Sequence, residues 1–135
     1  MAYYDLLIGM DATIFPSYYE PWGYTPLESV AFGVPTVTTS LSGFGQWVLS
    51  SSDTTFEETG VNVVARGDSN YQAAVDSISR SIRFLINADA TTRHEISRAA
   101  IATSDRAAWA SFITFYSKAY HIAEQHRDER IGHRI

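Results

Sequence analysis

Cysteine is absent from the 135 residues of the sequence, which excludes disulfides and thiolate metal sites. The four histidines share no metal-ligand spacing with each other or with nearby acidic residues, so we expect no metal site. Long apolar runs and a signal-peptide pattern are also missing. The sequence therefore predicts a cytoplasmic protein that does not bind a membrane.

Positive charge is scarce. The chain has 10 lysines and arginines against 15 acidic residues, a formal net charge of −5, so we expect no nucleic-acid partner. There is no P-loop and no G-x-S-x-G nucleophile motif, and Gly43-Phe44-Gly45 does not continue into a dinucleotide-binding fingerprint. The common nucleophile and phosphate-cradle motifs are therefore absent from the sequence.

The sequence does contain alternating strand-like and helix-like segments, which are typical of an α/β domain. Pro16 ends the first strand, and Gly33 ends the helix that follows it. We predict strands at residues 12–15, 34–39 and 61–65. We predict helices that end near residue 9, that span residues 26–32, 71–85 and 91–102, and that begin near residue 105. The polar tract at residues 40–60, which includes Ser52 and Asp53, predicts a surface loop.

Two apolar stripes at helical spacing predict buried helix faces. The first, which we expect to pack on the sheet, consists of Tyr71, Ala74, Val75, Ile78, Ile82 and Leu85. The second, which we expect to be mainly core, consists of Trp109, Phe112, Ile113, Tyr116, Tyr120 and Ala123. Charges alternate in sign beyond these stripes, which predicts a frayed end. We therefore predict a domain at residues 1–126 and a charged tail at residues 127–135.

The most informative segment is P-S-Y-Y-E-P-W-G-Y-T-P-L-E at residues 16–28, which carries two carboxylates, Glu20 and Glu28. It follows a predicted strand, and open α/β sheets place their ligands at the carboxyl ends of strands. The segment at residues 41–45 follows the next strand and is therefore expected to border the same crevice. We interpret these segments as one candidate ligand site.

A helix N-terminus is predicted within this segment. Thr25-Pro26-Leu27-Glu28 has the order of a capping box, with a hydroxyl at the N-cap, proline next and glutamate third in the helix. The first N–H groups of a helix and the positive end of its dipole bind anions. We therefore expect a phosphate to be received by the backbone of Gly23, Tyr24 and Thr25.

Together with G-V-P-T-V-T-T at residues 33–39 and L-S-G-F-G at residues 41–45, this segment resembles glycogen synthase of the animal and fungal type. The likeness is close over residues 3–48 and weaker up to about residue 124. It implies a Rossmann-like parallel sheet with flanking helices, as a partial C-terminal domain of a two-domain retaining glycosyltransferase. The sugar-nucleotide donor is then expected in the cleft between the two domains.

The resemblance implies roles for the residues of the segment. Glu20 is implied as the catalytic carboxylate, which hydrogen-bonds the donor glucose and stabilises positive charge as the glycosidic bond breaks. Trp22 and Gly23 are implied to approach the sugar with their backbone N–H groups, although the Trp22 ring fits core packing equally well. Tyr24 and Thr25 are implied to offer their N–H groups to the distal phosphate.

Glu28 has two competing interpretations. As the third residue of a capping box, its carboxylate would reach back to the N–H group of Thr25. In the family that the sequence resembles, the corresponding carboxylate accepts hydrogen bonds from the ribose hydroxyls of the donor. The resemblance favours ribose binding.

The function implied is transfer of glucose from a nucleotide sugar to an α-1,4-glucan, without a cofactor. The sequence does not distinguish UDP-glucose from ADP-glucose as the donor. In the family, the acceptor contacts and a basic pair facing the diphosphate lie upstream of the matched segment, so we expect the chain alone to be inactive. Without that upstream part, a sheet edge and part of the aromatic stripe would lack their cover, so we expect the chain to self-associate, most simply as a two-fold dimer. Arg93, Arg98 and Arg106 are too sparse to imply control by a sugar phosphate.

Two other functions remain open at this point. A non-catalytic α/β module for assembly or for glucan binding would use the same fold without the chemistry. A glycoside hydrolase, the less favoured alternative, would need the two carboxylates to face each other across a sugar, about 5–5.5 Å apart for retention or about 6.5–9.5 Å apart for inversion.

Overall fold

The computed structural model describes residues 3–51 and 55–132, so Ser52, Asp53 and the end of the predicted tail at residues 133–135 lie outside the described residues. The chain divides into a first compact unit that ends at Asp105 and a second that begins at Arg106. The first unit contains a three-stranded parallel sheet in the order β1-β2-β3. Its strands are β1 (Thr13–Ile14), β2 (Thr36–Thr39) and β3 (Val61–Val64). The predicted α/β class is confirmed, and the sheet is consistent with part of a Rossmann-like domain.

The described residues form seven helices in addition to the sheet. They are α1 (Tyr3–Leu7), α2 (Tyr24–Ala31), α3 (Gly43–Ser51), α4 (Phe56–Thr59), α5 (Tyr71–Asn87), α6 (Ala90–Arg106) and α7 (Trp109–Gly132). The three strands and the helices α1, α2, α5, α6 and α7 were predicted near these positions, with ends that differ by up to a few residues.

Strand β2 is the centre of the sheet, and all four of its residues are buried. Its threonines are buried because each hydroxyl finds a hydrogen-bond partner, which removes most of the penalty of burying a polar group. Thr36 Oγ1 lies 2.8 Å from Thr13 Oγ1 on β1, and Thr38 Oγ1 lies 3.0 Å from Ser42 Oγ. Thr39 Oγ1 donates to the carbonyl oxygen of Ser17 at 2.7 Å, which ties the loop after β1 to the end of β2.

Two apolar clusters fill the first unit. One is built from Val30, Phe44, Val48, Val61 and Ala100. The other is built from Val37, Phe56, Val64, Ala74 and Ile96. Each cluster contains residues from the sheet and from several helices. The loops at the carboxyl edge of the sheet are therefore attached to a packed core.

The prediction that residues 40–60 form a polar surface loop is wrong, because α3 and α4 occupy most of this tract. Ser42 acts as the N-cap of α3: its Oγ accepts the Gly45 N–H at 3.0 Å and its carbonyl accepts the Gln46 N–H at 3.0 Å. Phe44 and Val48 then lie one turn apart and are buried. The serines of this tract are typical of a loop, but Phe44 and Val48 have the spacing that buries one face of a helix.

The stripe predicted to pack α5 on the sheet is confirmed in part. Ala74 belongs to the cluster that includes Val37 and Val64 of the sheet, and Ile78 and Leu85 pack against that cluster. Tyr71 and Val75, however, are exposed, which the prediction did not anticipate.

The second unit consists mainly of α7, and two predictions about it are wrong. The aromatic stripe is not core, because none of the described α7 side chains is buried and Trp109, Tyr116 and Tyr120 are exposed. The charged tail is not frayed over residues 127–132, because α7 continues through them. Local pairs support this helical end, such as His126 with Glu129 at 3.2 Å. The predicted division between residues 126 and 127 stays a prediction.

Asp89 caps α6, and we expect this cap to make the free energy of unfolding depend on pH in the acidic range. Its Oδ1 accepts the Thr92 N–H at 2.8 Å, and this hydrogen bond lowers the pKa of the Asp89 carboxyl. A carboxyl with a lowered folded-state pKa contributes stability above its unfolded pKa, and that contribution is lost as the pH falls through the folded value.

Urea unfolding at pH 7 and at pH 3 tests the cap. Asp89→Ala should lower the unfolding midpoint at pH 7 and differ less from the parent chain at pH 3. Asp89→Asn, which also caps helices well, should stay close to the parent at pH 7. Equal midpoints for all three chains at pH 7 would show that the cap is unimportant.

Candidate active site

The loops that follow β1 and β2 are paired with each other at the carboxyl edge of the sheet. Glu20 and Ser42 form a parallel bridge, in which the Glu20 N–H donates to Leu41 O at 3.2 Å and the Gly43 N–H donates to Glu20 O at 3.0 Å. The Phe44 N–H continues the pairing by donating to Trp22 O at 2.6 Å. The two segments predicted to border one crevice are therefore in direct contact.

Glycine is required at position 43 because the two loops approach so closely. A Cβ atom built on Gly43 would collide with the carbonyl oxygen of Pro21. Since the obstacle is backbone, a larger residue would have to push the Glu20 loop away from α3.

The Glu20 carboxylate is oriented by its own loop. Ser17 Oγ donates to Glu20 Oε2 at 3.0 Å, and the Ser17 carbonyl is itself held by Thr39 of the central strand. The Glu20 carboxyl carbon lies 3.5 Å from the place that a Cβ atom would take on Gly23. The first glutamate of the motif therefore lies beside the start of α2.

Arg66, which follows the strand at the other edge of the sheet, contacts the same loop. It follows β3, and its guanidinium carbon lies 4.1 Å from the centroid of the Tyr18 ring, a cation–π contact. Its backbone is held by Ser40, whose Oγ accepts the Arg66 N–H at 3.0 Å. One side chain thus connects the segment after β3 to the loop that carries Glu20.

Helix α2 begins earlier than the sequence predicted, and the capping box is wrong. The N-cap is Gly23, with φ of 115°, and no side chain caps the helix. This left-handed conformation, which glycine tolerates, turns the chain two residues before Thr25. Thr25 is consequently inside the helix, where its carbonyl accepts the Ser29 hydroxyl at 3.0 Å.

The start of α2 nevertheless offers the backbone groups that were expected to receive a phosphate. The first helical hydrogen bond runs from the Leu27 N–H to Gly23 O at 3.3 Å. The N–H groups of Tyr24 and Thr25 precede this bond, and Pro26 has no N–H. Tyr24 and Thr25 are exposed residues, whereas Gly23 is buried.

Glu28 does not fold back on the helix start. Its Oε1 accepts the hydroxyl of Tyr4 on α1 at 3.1 Å, which raises the pKa of Tyr4. The capping interpretation of Glu28 is therefore wrong, and its carboxylate remains a candidate for ligand binding.

The Trp22 ring packs among other aromatic rings, which is the core role that the sequence allowed for it. It packs against Phe44 and Trp47, with ring centroids 6.1 and 6.3 Å away. Only the backbone of Trp22 is therefore a candidate for sugar binding.

Three residues near the two glutamates were not singled out from the sequence: Tyr4, Ser17 and Arg66. Ser17 lies three positions before Glu20, a spacing at which a serine hydroxyl reaches a carboxylate, so that signal was present. Tyr4 and Arg66 had no local signal, because their contacts join distant parts of the chain.

Comparison with known proteins identifies the family of the chain. The family model described as "Glycogen synthase" matches residues 1–129. The chain belongs to the glycogen synthase family. Liver glycogen [starch] synthase of Mus musculus is 42% identical over 86 residues, which is 63% of this chain and 12% of the mouse protein. Glycogen [starch] synthase isoform 2 of Saccharomyces cerevisiae is 36% identical over 84 residues, 62% of this chain and 12% of the yeast protein.

The matched part is a small share of these relatives. For the glycogen [starch] synthase of Caenorhabditis elegans, 42% identity extends over 76 residues, 56% of this chain and 11% of that protein. The chain thus spans about a tenth of the length of the relatives that it matches.

Two further observations concern the described ranges 3–51 and 55–132. They contain no group of three or more histidine, aspartate or glutamate side chains that could hold a metal ion. None of their helices is long and apolar enough to cross a membrane.

Proposed function

We propose that this chain forms the donor-binding part of a glycogen synthase, a retaining glucosyltransferase that moves glucose from a nucleotide sugar to an α-1,4-glucan. The observation that supports this most directly is the position of Glu20. Its carboxyl carbon lies within 3.5 Å of the Cβ position of Gly23, the N-cap of α2. The carboxylate therefore lies beside the residue at which α2 begins, and the N–H groups of Tyr24 and Thr25 follow that residue directly.

Each group in this arrangement suits one charge of the reaction. When the bond between glucose and the diphosphate breaks, positive charge develops on the sugar and negative charge on the leaving phosphate. Glu20 would stabilise the sugar, while the N–H groups of Tyr24 and Thr25 and the dipole of α2 would stabilise the phosphate. The backbone of Trp22 and Gly23 would contact the sugar between them.

Glu28 would bind the nucleoside end of the donor, by accepting hydrogen bonds from the ribose hydroxyls. In the same proposal, the glucan acceptor is bound by a second domain, as expected from the small share of each relative that the chain covers. No metal or organic cofactor takes part, and the protein acts in the cytoplasm.

Separate titrations of the chain with UDP-glucose, ADP-glucose and a maltooligosaccharide test this function by calorimetry. We expect saturable binding of one nucleotide sugar, unaffected by EDTA, and no transfer of labelled glucose to glycogen by the chain alone, because a cleft with one wall neither positions the acceptor nor excludes water. Binding of the oligosaccharide without either nucleotide would favour the non-catalytic glucan-binding module instead.

We also propose that the chain forms homo-oligomers. In the described residues β1 pairs only with β2, so its other edge has unpaired backbone groups, and Ile14 on this strand is 38% exposed. The exposed aromatic side chains of α7 add a second surface that favours association.

Sedimentation at tens of micromolar tests self-association. A dimer or larger species is expected, and Ile14→Lys should shift it toward monomer by placing a charge on the open edge. A strictly monomeric parent chain would contradict the proposal.

A further inference from the structure

Tyr4 makes a long-range contact with the second glutamate of the motif. Its hydroxyl donates to Glu28 Oε1 at 3.1 Å, although the two residues are 24 positions apart. No arginine, lysine or histidine forms an ion pair with Glu28 in the part of the chain that the structure describes. The tyrosine hydroxyl is therefore the group that sets the direction of this carboxylate.

The Tyr4 ring is held along the same face of α2. Its centroid lies 5.4 Å from that of Phe32, which follows Glu28 by one helical turn, and 5.3 Å from that of Tyr3. These ring contacts restrict the conformations of the Tyr4 side chain and so favour the hydrogen bond to Glu28.

We propose that Tyr4 is a positioning residue that holds Glu28 ready to bind a vicinal diol. An ionised carboxylate has two oxygens with about four acceptor sites, and Tyr4 uses one site on Oε1. That leaves acceptor sites, including both on Oε2, for two adjacent hydroxyl donors. This inference rests on the proposed function, because the diol is taken to be the ribose of the donor.

Tyr4→Phe isolates the hydroxyl, because phenylalanine keeps the ring contacts with Tyr3 and Phe32. Tyr3→Phe is the matched control, since it removes a neighbouring hydroxyl on the same helix. The probes are UDP and 2′,3′-dideoxyuridine diphosphate, which differ only in the diol, with dissociation constants measured by calorimetry.

We expect Tyr4→Phe to weaken UDP binding roughly three- to tenfold, the usual effect of losing one hydrogen bond. Binding of the dideoxy nucleotide should not change, so the preference for UDP shrinks. Tyr3→Phe should behave as the parent chain does.

Three outcomes would overturn the inference, and they differ in what they imply for the proposed function. A parent chain that prefers UDP, with the same preference in Tyr4→Phe, would overturn the role of Tyr4 and leave the proposed function intact. Equal weakening of both nucleotides would show that Tyr4 acts through packing alone. A parent chain without any preference for UDP would overturn the ribose role of Glu28, and the role of Tyr4 with it.

Discussion

Glu20→Gln is expected to lower kcat about 100-fold or more, with little change in the donor KM. The amide keeps the size of the side chain but removes the charge that stabilises the sugar in the transition state. Since the chain alone is expected to be inactive, the assay uses a full-length glycogen synthase that carries this chain in place of its own matching segment.

Glu28→Gln should instead raise the donor KM by roughly tenfold and change kcat less, because ribose binding contributes to the ground state and the transition state alike. Glu58→Gln, at an exposed glutamate on α4, is the control and should have no effect. Identical kinetic losses for Glu20→Gln and Glu28→Gln would contradict the separate roles.

Phe44→Ala is expected to destabilise the first unit by about 3–5 kcal/mol, a large part of the 5–15 kcal/mol that holds a typical domain together. The Phe44 side chain is completely buried, and it contacts the rings of Trp22 and Trp47. Its removal leaves a cavity between α3 and the loop that carries Glu20. Urea unfolding followed by tryptophan fluorescence measures this loss.

Leu49→Ala is the matched control for this experiment, because Leu49 lies on the same helix and is 42% exposed. It should change stability by about 0.5 kcal/mol or less. A Phe44→Ala chain as stable as Leu49→Ala would show that α3 is not part of the core.

The strands were predictable from local sequence alone. Pro16 follows β1 and Pro35 precedes β2. The β-branched residues of β2 and β3 favour a strand over a helix. Helix α3 was missed because its N-cap serine and two glycines resemble loop composition, while the decisive burial of Phe44 depends on distant residues such as Val61.

The start of α2 shows a different limit. Thr25 and Glu28 have the order of a capping box, yet Gly23 can adopt a backbone conformation that threonine avoids, and that choice moves the helix start. The loop pairing around Glu20 decides it, since the Trp22 carbonyl is held by the Phe44 N–H. Long-range backbone contacts, and not the local motif, therefore determine where α2 begins.

Much of the candidate site was identified from the motif, but its supports were not. The residues that orient the site come from elsewhere in the fold: Tyr4 from α1 and Arg66 from the segment after β3. Their side-chain directions are set by packing, which no spacing rule encodes. The exposed stripe on α7 failed as a core prediction for a related reason, because helical periodicity reveals an apolar face without showing what covers it.

The most direct test of donor binding at this site is an amide NMR titration of the chain with UDP. We expect the largest shifts at the N–H groups of Gly23, Tyr24 and Thr25, because the diphosphate would be received by the start of α2. Unchanged signals at these three residues at saturating UDP and in a parallel titration with ADP, or shifts confined to α7, would contradict the claim that this chain carries the donor-binding part of a glycogen synthase.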